Sequence, residues 1–376
     1  MSFEPIWTVV DDDVASGRLP GYVAAVRIGS DVEFHAGGTT AVGGSAPMTE
    51  HTRFRIASLT KPMGGALTLG LVRDGVLTLD DAIGRWLPEA ANPRVLVAPD
   101  APLDRTVEAE RPITVRDLLA MTCGWGAVLE PTPLQAAMID RGVYPGPLTP
   151  PMSGDEFVAR VAELPLAFQP GQGWLYDTGT NVLGMLLARA TGTSLSDLLA
   201  ERIFGPLGMT ATGFWTPDVD GVATAYRPGP DGLELLDPPD GLWSAPPPIE
   251  ELSGGLLSTA PDVLRFYAAM ADGGAPVLDA ASVALMTADA LTDAEREQAR
   301  PIVGPGASWG LATSVDLEAA EPWMAPGRWG WTGGTGTTAY VDPQRDTVSV
   351  LLTQRAMTGA EDRFDRFWTA VAASAD

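Results

Sequence analysis

The stretch Phe54-Arg55-Ile56-Ala57-Ser58-Leu59-Thr60-Lys61-Pro62 decides how the rest of the chain is read. It holds the only lysine in 376 residues, every other basic side chain that carries a fixed charge being arginine. Arginine stays charged at any pH a protein meets, whereas a lysine that is desolvated or placed near positive potential can lose its proton. Keeping lysine three residues after a serine therefore points to a need for a neutral amine at some stage. Pro62 lacks an N–H and fits only near a helix start, which puts that start close to Ser58 and predicts an apolar helix over residues 59–72. Ser58 and Lys61 then share one helical face. The positive end of the helix dipole is expected to lower the lysine's pKa and to offer N–H groups to an oxyanion. Ser-x-x-Lys alone is a weak signal, because serine is common; the rest of the chain has to support it.

Composition narrows the field. Hydrophobic residues make up 45% and mean hydropathy is +0.07, as in a soluble globular protein, and the length suits two lobes around a large core. No apolar run is long enough to cross a bilayer, and no basic or hydrophobic leader opens the chain, so a cytoplasmic protein is expected. A net charge of −24 disfavours nucleic acid and anionic membranes as partners. The single cysteine, Cys123, excludes an internal disulfide and reads as a buried thiol. With two histidines and no paired-ligand spacing there is no metal or cofactor motif. A small-molecule substrate remains; nothing fixes the number of subunits.

In chain order, a helix is expected over 3–17, a hairpin over 22–35 and a further helix opening at 76–81. Residues 113–119 read as a cap followed by a helix, and 181–191 and 259–271 as helices. The segment 228–248, rich in Pro and Gly, reads as a long irregular loop. Strands follow at 308–315, 337–342 and 347–353, then a helix over 361–373. Early and late strands are expected to share one antiparallel sheet. The fold class is thus α+β: residues 1–75 with 301–376 form the lobe carrying the sheet, and 76–300 form an inserted, mainly helical lobe.

Three separated elements give the chain a family resemblance. Phe-Arg-Ile-Ala-Ser58-Leu-Thr-Lys61 resembles the nucleophile motif of the serine β-lactamase and penicillin-binding superfamily. Trp174-Leu-Tyr176-Asp177-Thr178 is similar to its Tyr-x-Asn element, with Thr178 where asparagine is usual. Trp331-Thr332-Gly333-Gly334 resembles its Lys-Thr-Gly strand, with tryptophan in place of lysine. Ile113–Leu119 and Ser253–Thr259 extend the likeness over about 15–355, nearest to class C β-lactamases and family VIII carboxylesterases. The resemblance implies a β-lactamase-like two-lobe fold and an acyl-enzyme on Ser58. Lys61 and Tyr176 would share the proton transfers, and the N–H groups of Ser58 and Gly334 would form the oxyanion hole. A serine without histidine does need another base, and a desolvated lysine or a tyrosine beside an ammonium can serve.

The departures point to the substrate. Lysine in the third motif helps hold a β-lactam carboxylate, and Trp331 cannot. Arg328 could supply that charge, although its setting favours the surface. Tryptophan there is shared with family VIII esterases, so carboxylic ester hydrolysis is expected, with Trp125, Trp174, Thr178, Trp331, Thr332 and Gly333 as candidate substrate-binding residues. A β-lactamase, D-amino-acid amidase or peptidase, or acyltransferase is the alternative, and a non-catalytic binding protein a third. Gly306-Ala307-Ser308-Trp309-Gly310 matches the nucleophile-elbow pattern, but its continuation reads as strand and no histidine follows residue 51.

Overall fold

The computed structural model describes residues 2–359 and 364–376, and a seven-stranded antiparallel sheet organises them. Its strands are β1 (Gly21–Ile28), β2 (Asp31–Gly38), β3 (Ala307–Trp309), β4 (Ser314–Asp316), β5 (Trp329–Gly333), β6 (Thr337–Asp342) and β7 (Thr347–Thr353). Their spatial order is β2-β1-β7-β6-β5-β4-β3, so the first hairpin is joined to the end of the chain. The register sets Ala25 opposite Val350, Ala339 opposite Val350 and Trp331 opposite Ala339. The expected α+β class holds.

Five helices frame this sheet and the site: α1 (Glu4–Ala15), α2 (Thr60–Arg73), α3 (Thr178–Thr191), α4 (Ala260–Ala271) and α5 (Asp365–Ala375). Side chains alternate across the strands. Tyr22, Ala24 and Val26 face one way, where Ile6, Trp7 and Val10 of α1 and Phe367, Trp368 and Val371 of α5 cover them. Val23, Ala25, Ala339 and Val350 face the other, in a larger core shared with Leu67 and Leu71 of α2 and Phe266 and Met270 of α4. Each large apolar side chain among them contributes about 1.5–3 kcal/mol of burial, and truncating Trp368 to alanine is expected to cost about 3–5 kcal/mol.

Four expectations need correction. No α-helix opens at 76–81: residues 78–81 close a turn, with the Asp81 N–H on the Thr78 carbonyl and the Thr78 N–H on the Asp81 carboxylate, and only a 3₁₀ turn, Ile83–Arg85, follows. The segment 228–248 is not irregular throughout, because Ala225–Gly229 and Gly232–Asp237 pair as a hairpin. Its turn, Gly229-Pro230-Asp231-Gly232, carries the composition that reads as loop. The strand expected at 308–315 is β3 and β4, divided by a turn in which Ala312 takes φ +69°. Arg328 is buried rather than on the surface, paired with Asp316 and lying 3.8 Å from the Tyr340 ring centroid. The last helix is present, but residues 361–363 of its expected span lie outside the described residues.

Cys123 is buried, and burial pushes its thiol up to about 12. Among the described residues, no helix is long and apolar enough to cross a membrane and no cluster of His, Cys, Asp or Glu could hold a metal ion.

Candidate active site

The serine sits where strand passes into helix. Phe54–Arg55 pairs with Leu257–Ser258, residues Ala57–Leu59 make a 3₁₀ turn, and α2 starts at Thr60. Ala57 holds φ +44°, a conformation a residue with a Cβ adopts at a cost of about 1–3 kcal/mol. Its surroundings over-determine it. Thr60 Oγ1 donates to the Ala57 carbonyl at 2.7 Å, and Thr335 and Thr337 donate to the carbonyls of Arg55 and Ile56 at 2.5 and 2.9 Å. The end of β5 comes so close that a Cβ at Gly333 would run into the Ile56 carbonyl and the Thr337 hydroxyl. Arg55 is buried and ion-paired with Asp237, tying the 225–237 hairpin to the nucleophile strand.

Lys61 is fully buried behind Ser58. Its Nζ donates to Ser58 Oγ at 3.0 Å, Asp177 Oδ1 at 2.6 Å and the Ser253 carbonyl at 2.7 Å. Those are the three donors of an ammonium group. Burial alone would pull the lysine pKa down, but Asp177 and Tyr176 more than offset it and leave the value above the ordinary one. The lowered pKa expected from the helix dipole is therefore not what the structure supports. The reason is Asp177, 116 residues away in sequence.

Asp177 precedes α3 in a γ-turn-like conformation, φ +88° and ψ −70°, rare for a residue with a side chain. It sets Tyr176 and its own carboxylate on either side of Lys61. The ammonium lies 4.4 Å from the Tyr176 ring centroid, within cation–π range. Tyr176 Oη accepts a hydrogen bond from Trp331 Nε1 at 2.5 Å. Trp309 packs edge-on to both rings, 5.9 Å from Tyr176 and 4.7 Å from Trp331, and fixes their angle.

Ser58, Tyr176, Trp331, Thr332 and Gly334 line one cleft of about 730 Å³, and Asp177, Trp243, Glu251, Ser253 and Arg328 are also in its wall. Trp125, Trp174 and Thr178 are not in that wall. Trp125 is a core residue whose Nε1 donates to the Leu164 carbonyl, Trp174 packs 5.9 Å behind Tyr176, and Thr178 is the buried first residue of α3. Gly333 lies behind the wall, against the serine's turn. Ser308 is fully buried on β3, its hydroxyl bonded to Asp289 at 2.5 Å.

Sequence reasoning missed Asp177, Asn181 and Glu251. Asn181 Nδ2 donates to Glu251 at 2.9 Å while its Oδ1 accepts from the Ser253 N–H at 2.9 Å. Burial, and then the nearby Asp177 carboxylate, push Glu251 up to about 7. Burial likewise pushes Asp316 up to about 6 despite its Arg328 partner. A local cue existed only for Asp177, an acid flanking the tyrosine.

Comparison with known proteins supplies the family. Protein Rv1367c of Mycobacterium tuberculosis is 36% identical over 330 residues, covering 83% of this chain and 80% of that protein. Esterase EstB of Burkholderia gladioli is 32% identical over 373 residues, covering 93% and 90%. Among solved structures, EstCE1, described as a hydrolase with promiscuous acyltransferase activity, superposes with a TM-score of 0.83 at 25% identity, covering 99% of this chain and 97% of its own. The Beta-lactamase family model matches residues 8–374, and with these relatives it places the chain in the Beta-lactamase family, within the serine β-lactamase and penicillin-binding superfamily.

Proposed function

We propose that this protein is a serine hydrolase of carboxylic esters, working through an acyl-enzyme on Ser58. Ser58 Oγ attacks the ester carbonyl carbon while its proton passes to Tyr176 Oη, which takes it as a phenolate and then, as the phenol, gives it to the departing alkoxide. The C–O bond to the alcohol then breaks, and water repeats the sequence in reverse to free the acid. Lys61 donates to Ser58 Oγ and supports the negative charge that develops there, and its ammonium beside the Tyr176 ring stabilises the phenolate that takes the proton. The N–H groups of Ser58 and Gly334 are the proposed oxyanion donors, each worth about 3–4 kcal/mol in comparable acyl transfers. Trp331 and Thr332 are the proposed substrate contacts beside them. Trp125, Trp174, Thr178 and Gly333 serve only indirectly, by packing behind the wall.

The observation that carries the ester assignment is the Trp331–Tyr176 hydrogen bond. The third motif here spends its side chain on the tyrosine and presents an apolar ring to the cleft, with no ammonium for a substrate carboxylate. The Burkholderia relative named an esterase supports the same reading. The test compares kcat/KM for a short-chain nitrophenyl ester with that for nitrocefin or a cephalosporin. The ester is expected to be far better, and a lactam value equal to it or above would overturn the assignment.

A further inference from the structure

Around Lys61 lies an acidic network, half-buried in the cleft wall, that proton transfer from Ser58 does not require. Asp177 accepts one hydrogen bond from the ammonium at 2.6 Å, and its side chain is only 15% exposed. The Ser253 carbonyl takes a second, and the Ser253 N–H is held by Asn181, which also holds Glu251. Glu251 thus braces the loop that presents one acceptor and lies close enough to Asp177 to feel its charge. One carboxylate and a carbonyl touch the ammonium, and a second half-buried carboxylate lies close enough to feel its charge. The backbone bears strain to place Asp177 there, with φ +88° in a residue that is not glycine.

An amine with all three hydrogens committed has no lone pair for the Ser58 proton. A neutral Lys61 would leave Asp177 and the Ser253 carbonyl competing for two hydrogens, one of which Ser58 Oγ also accepts. Removing a carboxylate in contact with an ammonium lowers that ammonium's pKa by about 1–3 units. We propose that Asp177 is a positioning residue that keeps Lys61 protonated against Ser58 through acylation, with Asn181 and Glu251 bracing the far side of the same network. Lys61 is then the electrostatic partner of the nucleophile and Tyr176 the proton acceptor. This rests on the assignment of Ser58 and Tyr176 given above, but its test does not.

The groups facing Lys61 are Asp177 and Tyr176 ahead of α3, Ser58 on its own turn, and Ser253 and Glu251 on the loop before Leu257. Because Lys61 is the only lysine, protein made with [ε-13C]lysine and lacking any lysine-bearing tag gives one reporter resonance. In the wild type that resonance is expected at its ammonium position at about pH 8, and to stay there beyond the ordinary lysine pKa of about 10.5. In Asp177→Asn the midpoint should drop by at least about one unit. The kcat/KM profile of that variant should acquire an alkaline fall at the same pH, and Asp177→Glu should move the fall back. A merely structural role would lower the plateau without moving the midpoint. A wild-type resonance in the neutral-amine position at about pH 8 overturns the proposal even if no variant folds. An Asp177→Asn midpoint equal to the wild type's does so too. The resonance reports whether or not esters are the substrate, so failure of the ester assignment shows separately, as loss of ester preference.

Discussion

Replacing Trp331 by phenylalanine removes one N–H and keeps an aromatic ring. In the wild type the indole Nε1 lies 2.5 Å from Tyr176 Oη, buried beside a lysine ammonium 4.4 Å from the tyrosine ring. If Tyr176 Oη takes up the Ser58 proton it must start as a phenolate, and the Trp331 N–H is a donor that holds that anion in place for the transfer. A hydrogen bond to a charged partner is worth about 1.5–3 kcal/mol, which is about a 10- to 150-fold loss of kcat/KM. Phenylalanine retains most of the edge-on contact with Trp309, so the variant should stay folded with a modest fall in Tm. The assay is steady-state hydrolysis of a short-chain nitrophenyl ester, with circular dichroism to confirm the fold. The loss should fall mainly on kcat, because the missing bond serves the reacting proton rather than ground-state binding. A change below about threefold in a folded variant would refute the idea that Trp331 tunes Tyr176.

Other outcomes follow from the same geometry. Lys61→Arg should lose about two to four orders of magnitude in kcat/KM, as should Lys61→Ala, since a planar guanidinium cannot point donors at Ser58 Oγ, Asp177 and the Ser253 carbonyl from a fully buried slot; substantial activity in the arginine variant would show that charge alone suffices. Trp331→Lys should raise turnover of a β-lactam relative to the ester, measured as the ratio of kcat/KM values; an unchanged ratio would mean that the position does not read the substrate carboxylate. Glu251 is held above the ordinary carboxyl pKa, so the folded state disfavours its ionised form. Its contribution to stability is then best below about pH 4.5 and is lost as pH rises through about 7, on the order of 3 kcal/mol in full. Urea titrations of Glu251→Gln should show a flatter pH dependence across that window than the wild type; an equal slope would place the titration elsewhere. Removing Arg55 while leaving Asp237 buried should cost about 3–5 kcal/mol by the same titrations, because the carboxylate loses its only ion-pair partner among the described residues.

How much was legible in the sequence follows how local each feature is. Pro62 fixed the start of α2 to within a residue because proline acts on its own backbone. The strands at 337–342 and 347–353 were readable because a turn, Asp342 to Thr347, separates two runs buried along their whole length. The segment at 76–81 misled because an Asp beside apolar residues caps a turn as readily as it caps a helix. Arg328 misled more instructively. A charged residue in a Pro-Gly context reads as exposed, and its burial depends on Asp316 twelve residues earlier and on the rings of Tyr340 and Trp368. The largest loss concerns Lys61: Ser58, Tyr176 and Trp331 stand in recognisable motifs, whereas Asp177, Asn181 and Glu251 act through distances no spacing encodes. The protonation state of the lysine is set by Asp177 of that second group together with Tyr176.

The most direct test of the account is where a covalent adduct forms. Intact mass and peptide mapping after treatment with a fluorophosphonate should give one adduct, on the peptide that carries Ser58, and none in Ser58→Ala. An adduct on Ser308, or equal labelling of the Ser58→Ala protein, would contradict an acyl-enzyme at Ser58 and with it the ester hydrolase built around Lys61 and Tyr176.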